Sequence, residues 1–143
     1  MERKAVLITA TAIALLLISA WVALASTITC NVLCTGTNDN DKMYGSANDD
    51  VIVALAGNDK VYGSDGQDSL EGDSGRDLLV GGSGDDVLDA ATSENSSSGP
   101  DTIRAGDGDD LILADNNKSD RIDCGAGVDT VLADVGIDKV RNC

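Results

Sequence analysis

From Gly36 to Asp89 the chain repeats every nine residues without interruption, six times over, with Asp at the sixth place of each block and an aliphatic residue at the eighth. The blocks read GTNDNDKMY, GSANDDVIV, ALAGNDKVY, GSDGQDSLE, GDSGRDLLV and GGSGDDVLD. They set Asp41, Asp50, Asp59, Asp68, Asp77 and Asp86 in one register, followed two places later by Met43, Ile52, Val61, Leu70, Leu79 and Leu88. One side chain in nine therefore points to an apolar interior while its neighbours are free to be polar, and alternation over three residues makes a very short strand. The first six places are rich in Gly, Ser, Asn and Asp. Gly57, Gly66, Gly75 and Gly84 hold the fourth place, which suits a backbone with positive φ. Asp39 and Asn48 replace Gly there, and as residues that tolerate the left-handed region they are expected to keep the same conformation.

Composition enters as a test of this reading. The 143-residue chain carries a formal charge of −15, no Phe, no His and only 2% aromatic residues, too little apolar bulk for an ordinary core. Without the period, such a chain would be read as disordered. A solenoid escapes that conclusion because neighbouring coils bury one aliphatic residue per strand.

The blocks resemble the haemolysin-type calcium-binding repeat of RTX proteins, G-G-x-G-x-D-x-U-x, and GGSGDDVLD matches every defined place. The resemblance implies an all-β fold, a parallel β-roll (β-solenoid) of nine-residue Gly/Asp repeats with two short parallel sheets, in which each block is half a coil. It also implies calcium between Gly/Asp turns stacked two blocks apart. That stacking pairs Asp41 with Asp59 and Asp77 on one edge, and Asp50 with Asp68 and Asp86 on the other.

After Asp89, residues 90–95 read as a Ser-rich loop insertion, and SSSGPDTIR and AGDGDDLIL then restore the register through Gly99 and Gly108, Asp101 and Asp110, Ile103 and Ile112. One extra residue, taken as Ala114, precedes DNNKSDRID, CGAGVDTVL and ADVGIDKVR, which keep Asp120, Asp129 and Asp138 with Ile122, Val131 and Val140. Lys118 falls where a turn Gly is expected, and Val128 and Ile137 at the fifth place suit a capping end, since terminal repeats are commonly atypical. The expected organisation is a signal segment at 1–25, an N-terminal cap at 26–35, the roll at 36–141 and a tail at 142–143.

A hard dication needs six to eight oxygens from a flexible set of ligands, roughly 2.3 to 2.6 Å away. Two stacked turns can supply them from carboxylates and carbonyls. Zinc would use His or Cys, and magnesium keeps its waters in a tighter octahedron. Calcium (Ca2+) is therefore the expected ion, with Asp41, Asp50, Asp59, Asp68, Asp77 and Asp86 as leading ligands. Asp101 with Asp120 and Asp110 with Asp129 follow in second rank, because the extra residue disturbs their spacing.

At the start of the chain, Arg3 and Lys4 precede an apolar run from Ala5 to Ala25 that closes on Ala23-Leu24-Ala25. This is the pattern of a cleaved secretory signal, although a run of that length could also remain as a membrane anchor. Cleavage after Ala25 removes Glu2, Arg3 and Lys4 from the 25 acids and 10 bases, leaving 24 and 8 and a net charge of −16. Phosphate binding depends on clustered Lys and Arg, so calcium is the expected partner and nucleic acid is not. A membrane is a partner only if the N-terminal segment is retained. With no His and with repeats accounting for most of the sequence, no enzyme activity is expected. In a secreted, extracellular protein the four Cys suit disulfides. In a roll with an 18-residue coil, Cys143 lies one residue past the point above Cys124, so Cys124 pairs with Cys143, and Cys30 with Cys34. The alternative function is a structural or adhesive surface module in which the roll is a stiff spacer. Tyr44 and Tyr62, two blocks apart at the ninth place, are then either part of an exposed patch or a side-chain ladder.

Overall fold

The computed structural model describes residues 27–90 and 98–143. The apolar run at 1–25 and residues 91–95 of the Ser-rich insert lie outside the described residues. The described chain forms thirteen strands and no helix. They are β1 (Thr27–Thr29), β2 (Leu33–Thr35), β3 (Lys42–Tyr44), β4 (Val51–Val53), β5 (Lys60–Asp65), β6 (Ser69–Glu71) and β7 (Leu78–Ser83). After these come β8 (Val87–Asp89), β9 (Thr102–Asp107), β10 (Leu111–Ala114), β11 (Arg121–Ala126), β12 (Thr130–Ala133) and β13 (Lys139–Arg141).

Odd-numbered strands pair in parallel into a seven-stranded sheet, and even-numbered strands into a six-stranded one. Each pair of successive strands therefore makes one coil, and the coils stack as a β-solenoid. The expected parallel roll is present. Register is set by the eighth place: Met43 lies beside Val61, Val61 beside Leu79, Leu79 beside Ile103, and Ile103 beside Ile122. The eighth-place residues from Met43 to Ile122 are buried to 1% exposure or less. A fully buried aliphatic side chain contributes about 1.5–3 kcal/mol, so two files of them along the axis, one from each sheet, are the main apolar support.

Four local expectations are corrected. The segment read as a cap forms β1 and β2, which pair with β3 and β4 and place Ile28 beside Met43 and Cys34 beside Ile52. The roll thus starts one coil earlier than the Gly/Asp blocks. Ala114 is not the extra residue: it is buried beside the core and pairs with Ala133 at the first place of its block. Counting from Ala114, the fourth place falls on Asn117, which takes φ +61°, not on Lys118. The surplus residue is absorbed in the following turn, because a surface turn can lengthen while a buried first place cannot. At the C-terminal end Val140 is 46% exposed, since no described strand stacks beyond β13. Val128 and Ile137 also stand exposed.

Both expected disulfides are present, Cys30–Cys34 and Cys124–Cys143, with Cα separations of 5.5 and 5.2 Å. The second joins β11 to the residue pair after β13. Asp123 lies beside Arg141, so Cys143 sits one residue past Cys124's direct neighbour.

Candidate metal centre

The sixth-place carboxylates enter the roll at its turns. From Asp59 onward each one turns Oδ1 toward the preceding coil and accepts a hydrogen bond from the backbone amide of the Asp stacked there. Along one edge Asp59 accepts from Asp41, Asp77 from Asp59, Asp101 from Asp77, Asp120 from Asp101 and Asp138 from Asp120, at 2.7–2.8 Å. Along the other, Asp68 accepts from Asp50, Asp86 from Asp68, Asp110 from Asp86 and Asp129 from Asp110, at 2.8–3.1 Å. The expected pairs are all brought together. The ladders also cross the Ser-rich insert without a break and admit Asp138. The second-rank spacing is not disturbed, because the surplus residue stays in its turn. At the N-terminal end Asp50 Oδ1 accepts from the Val32 amide, which holds the first coil.

The second oxygens divide these residues into two kinds. In the first two blocks the turn itself satisfies Oδ2: Thr37 donates from N and Oγ1 to Asp41 at 2.6 and 2.8 Å, and Ser46 from N and Oγ to Asp50 at 2.6 and 2.9 Å. By contrast Oδ2 of Asp59, Asp68, Asp77, Asp86, Asp110 and Asp120 is buried without a hydrogen-bond partner. Asp101 is intermediate, with Ser98 Oγ at 3.1 Å. Buried polar atoms are normally partnered, so a row of orphaned carboxylate oxygens marks a place built for something else.

The backbone agrees with this division. From the third block to the sixth the second and fourth places both turn left-handed: Leu55 with Gly57, Ser64 with Gly66, Asp73 with Gly75, and Gly82 with Gly84. Asp39 and Asn48 do not have positive φ, contrary to expectation. Their amides donate instead to Thr37 Oγ1 and Ser46 Oγ at 3.1 and 3.2 Å, so the hydroxyl closes the turn and the left-handed residue is not needed. Glycine is required at Gly75, where an added Cβ would overlap the Gly57 carbonyl, and at Gly63, where it would overlap Asp68 Oδ2. The turns therefore stack carbonyl upon carbonyl with the carboxylates just inside.

Burial pushes the Asp59 carboxyl up to about 6, and those of Asp77, Asp86 and Asp101 up to about 7. Hydrogen bonds from the ladder amides oppose the rise, and neighbouring carboxylates add to it. Burial likewise raises Asp68, Asp110 and Asp120. At Asp50 burial acts in the same direction, but the bonds from Ser46 and Val32 outweigh it and hold the carboxyl below its ordinary value.

The fifth place carries a second ladder that the sequence reading missed. Asn40, Asp49, Asn58, Asp85 and Asp109 accept from the fifth-place amide of the next coil, at 2.7–3.0 Å. Its signal was the frequency of Asn and Asp at that place. Among the described residues no three carboxylates or thiols converge on one point, so an ion here must draw on main-chain oxygens as well as side chains.

Compared with known families, the chain matches the RTX calcium-binding nonapeptide repeat in four copies, over residues 35–70, 62–92, 95–119 and 112–140. It belongs to this family. No curated protein and no solved structure matches it. The RTX match reaches into the degenerate C-terminal blocks, as the Asp ladders do, and the RTX repeat is a calcium-binding unit. Its fold and chemistry agree with what these turns present: paired carboxylates with free buried oxygens, set between stacked carbonyls.

Proposed function

We propose that the chain is a secreted calcium-binding β-roll whose folding and ion binding are one event. The observation that carries this reading is the row of buried, unpartnered Oδ2 atoms at Asp59, Asp68, Asp77, Asp86, Asp110 and Asp120. They fit a hard dication: they are oxygens, at least one lies in each coil from β5 to β12, and flanking carbonyls can complete the six to eight oxygens that calcium takes. Asp41, Asp50, Asp101 and Asp129 complete the two ladders and belong to the proposed ligand set, with Asp41 and Asp50 in a more structural part. Bound calcium would supply the positive charge that offsets stacked like charges. The residues themselves hold the turns open and fix the spacing of the carboxylates.

One aliphatic residue per nine is weak support against the entropy of ordering the block, about 1–2 kcal/mol per residue. An ion bound only by the folded form adds RT ln(1 + [L]/Kd), about 0.4 kcal/mol per site when calcium equals Kd and more above it. Several sites together decide the equilibrium. Secretion is supported by the N-terminal segment and by two disulfides, which persist in oxidising surroundings. The mature chain then begins at Ser26.

The test is a far-UV circular dichroism titration with calcium, repeated with magnesium at equal concentration. A coil-to-strand change with calcium and a much smaller one with magnesium is expected. A chelated protein that already shows the full strand spectrum and melts at the same temperature with calcium would sink the reading. That result would favour the second one, a structural or adhesive surface module. One observation speaks for it: Leu33, Val51, Val87 and Leu132 stand 69%, 43%, 36% and 52% exposed on the outer face of the six-stranded sheet.

A further inference from the structure

The fold sorts the bases as well as the acids. The seventh and ninth places flank the buried eighth, so on the seven-stranded sheet they point outward. Residues one coil apart stack, and bases that look scattered in the sequence fall into two rows. Lys42, Lys60, Arg121 and Lys139 lie in the seventh-place row, Arg104 and Arg141 in the ninth. These are six of the eight Lys and Arg beyond residue 25, so the expectation that the chain has no cluster of bases is corrected by register. The one acid in either row is Asp123, which Arg141 holds at 2.6 Å and Asn142 at 2.7 Å. The outer face of the six-stranded sheet has no base and carries Glu71 and Asp89.

With 24 acids to 8 bases beyond residue 25, a random arrangement would give most bases an acidic partner. On this face the ion pair is Arg141–Asp123. Arg104 lies beside Asp123 as well and helps to hold its carboxyl down, while Lys42, Lys60, Arg121 and Lys139 have no acid beside them in register on the sheet.

We propose that this face docks a polyanionic polysaccharide, an extended glycan bearing sulfate or carboxylate groups, laid along the solenoid axis. Strands about 4.8 Å apart make the stretch from β3 to β13 about 24 Å long, room for several sugar units. Guanidinium forks match carboxylate and sulfate oxygens, and Leu78, Val80 and Thr102 between the basic ends offer a low, weakly polar floor. The tyrosines favour a sugar over a nucleobase. Tyr44 and Tyr62 are stacked on each other at 5.0 Å and 14°, with Lys42 Nζ 4.9 Å from the Tyr44 ring centre. Each ring gives one face to the other, and the outer faces look along the row toward Thr29 and Val80 and not out from the sheet, a poor platform for base stacking, while hydroxyls and an ammonium remain as hydrogen-bond donors. The inference stands on the fold; calcium enters only by forming the roll and lowering its net negative charge.

Binding of the full secreted chain, in calcium, is measured on dextran sulfate, neutral dextran and a single-stranded oligonucleotide of matched charge. The expected result is binding to dextran sulfate that weakens as salt rises, none to neutral dextran, and weaker binding to the oligonucleotide. Arg104→Glu should weaken binding at least tenfold, and Lys118→Glu, an equal charge change off the face, less than twofold. Circular dichroism in calcium verifies each variant's roll, with Lys60→Gln/Arg104→Gln as the milder replacement if Arg104→Glu does not fold. Absence of binding by a formed roll, equal binding to neutral dextran or to the oligonucleotide, or indifference to both face variants overturns the proposal. A chain that forms no roll with calcium overturns the calcium reading instead.

Discussion

Asp50 and Asp68 occupy the same place in their blocks and the same ladder, yet their second oxygens meet opposite surroundings. Oδ2 of Asp50 is filled by Ser46, while that of Asp68 is buried and unpartnered. An amide in place of the carboxylate separates the two roles. Asp68→Asn can keep a carbonyl oxygen on the Asp50 amide but removes the charge, so the calcium midpoint in a dichroism titration should rise about tenfold, or about 1.4 kcal/mol. Asp50→Asn puts an NH2 group among donors and weakens hydrogen bonds to a charged acceptor, each worth about 1.5–3 kcal/mol. It should lower the melting temperature of the calcium-loaded roll more than Asp68→Asn does. Gly75→Ala should be among the most damaging single changes, about 3 kcal/mol or more, because positive φ and the Gly57 carbonyl both exclude a methyl group. Its measure is the melting temperature at saturating calcium.

At the scale of strands and turns, what was legible followed the residues that repeat. The eighth-place aliphatics marked each strand from β3 onward, and the sixth-place Asp marked each turn, because both recur once per block, at places where the stacked coils leave no room for substitutes. The first coil was not legible. Ile28 and Cys34 take core positions without any Gly/Asp turn, and Val32 reaches Asp50 only through its backbone amide. The turn after β10 was misplaced for a related reason. Register is set by buried Ala114, whereas the sequence count was anchored on Asp120, and one surplus residue fits anywhere between them. Sorting of free from satisfied Oδ2 depended on hydroxyls at Thr37 and Ser46, a second-place detail that the period did not single out. The disulfide at the C-terminal end is the element-level test. Cys124→Ser/Cys143→Ser should cost about 2–4 kcal/mol, read as a lower denaturation midpoint, with amide exchange accelerated first in β13.

For the molecule as a whole, the ladders tie stability to protons. Burial lifts Asp59 to about 6 and Asp77, Asp86 and Asp101 to about 7, against about 3.9 in an unfolded chain. The folded, metal-free roll therefore binds more protons than the unfolded chain between roughly pH 4 and 7, and by linkage its stability falls as pH rises through that window. In chelator, more strand signal is expected at pH 5 than at pH 8. Calcium competes with the same protons, so its midpoint should move to lower concentration between pH 5.5 and 7.5. Equal strand content at both pH values without calcium would show that the carboxyls are not held as the geometry implies. The ladder also has a direction. Every buried Asp amide from Asp41 to Asp120 is capped by a carboxylate of the coil that follows it in sequence. In a polypeptide threaded N-terminus first through a ribosome or a translocation pore, a coil cannot seal until the next 18 or so residues have come through. Closure would then trail emergence by one full winding, and each winding would arrive as the lid of the one before.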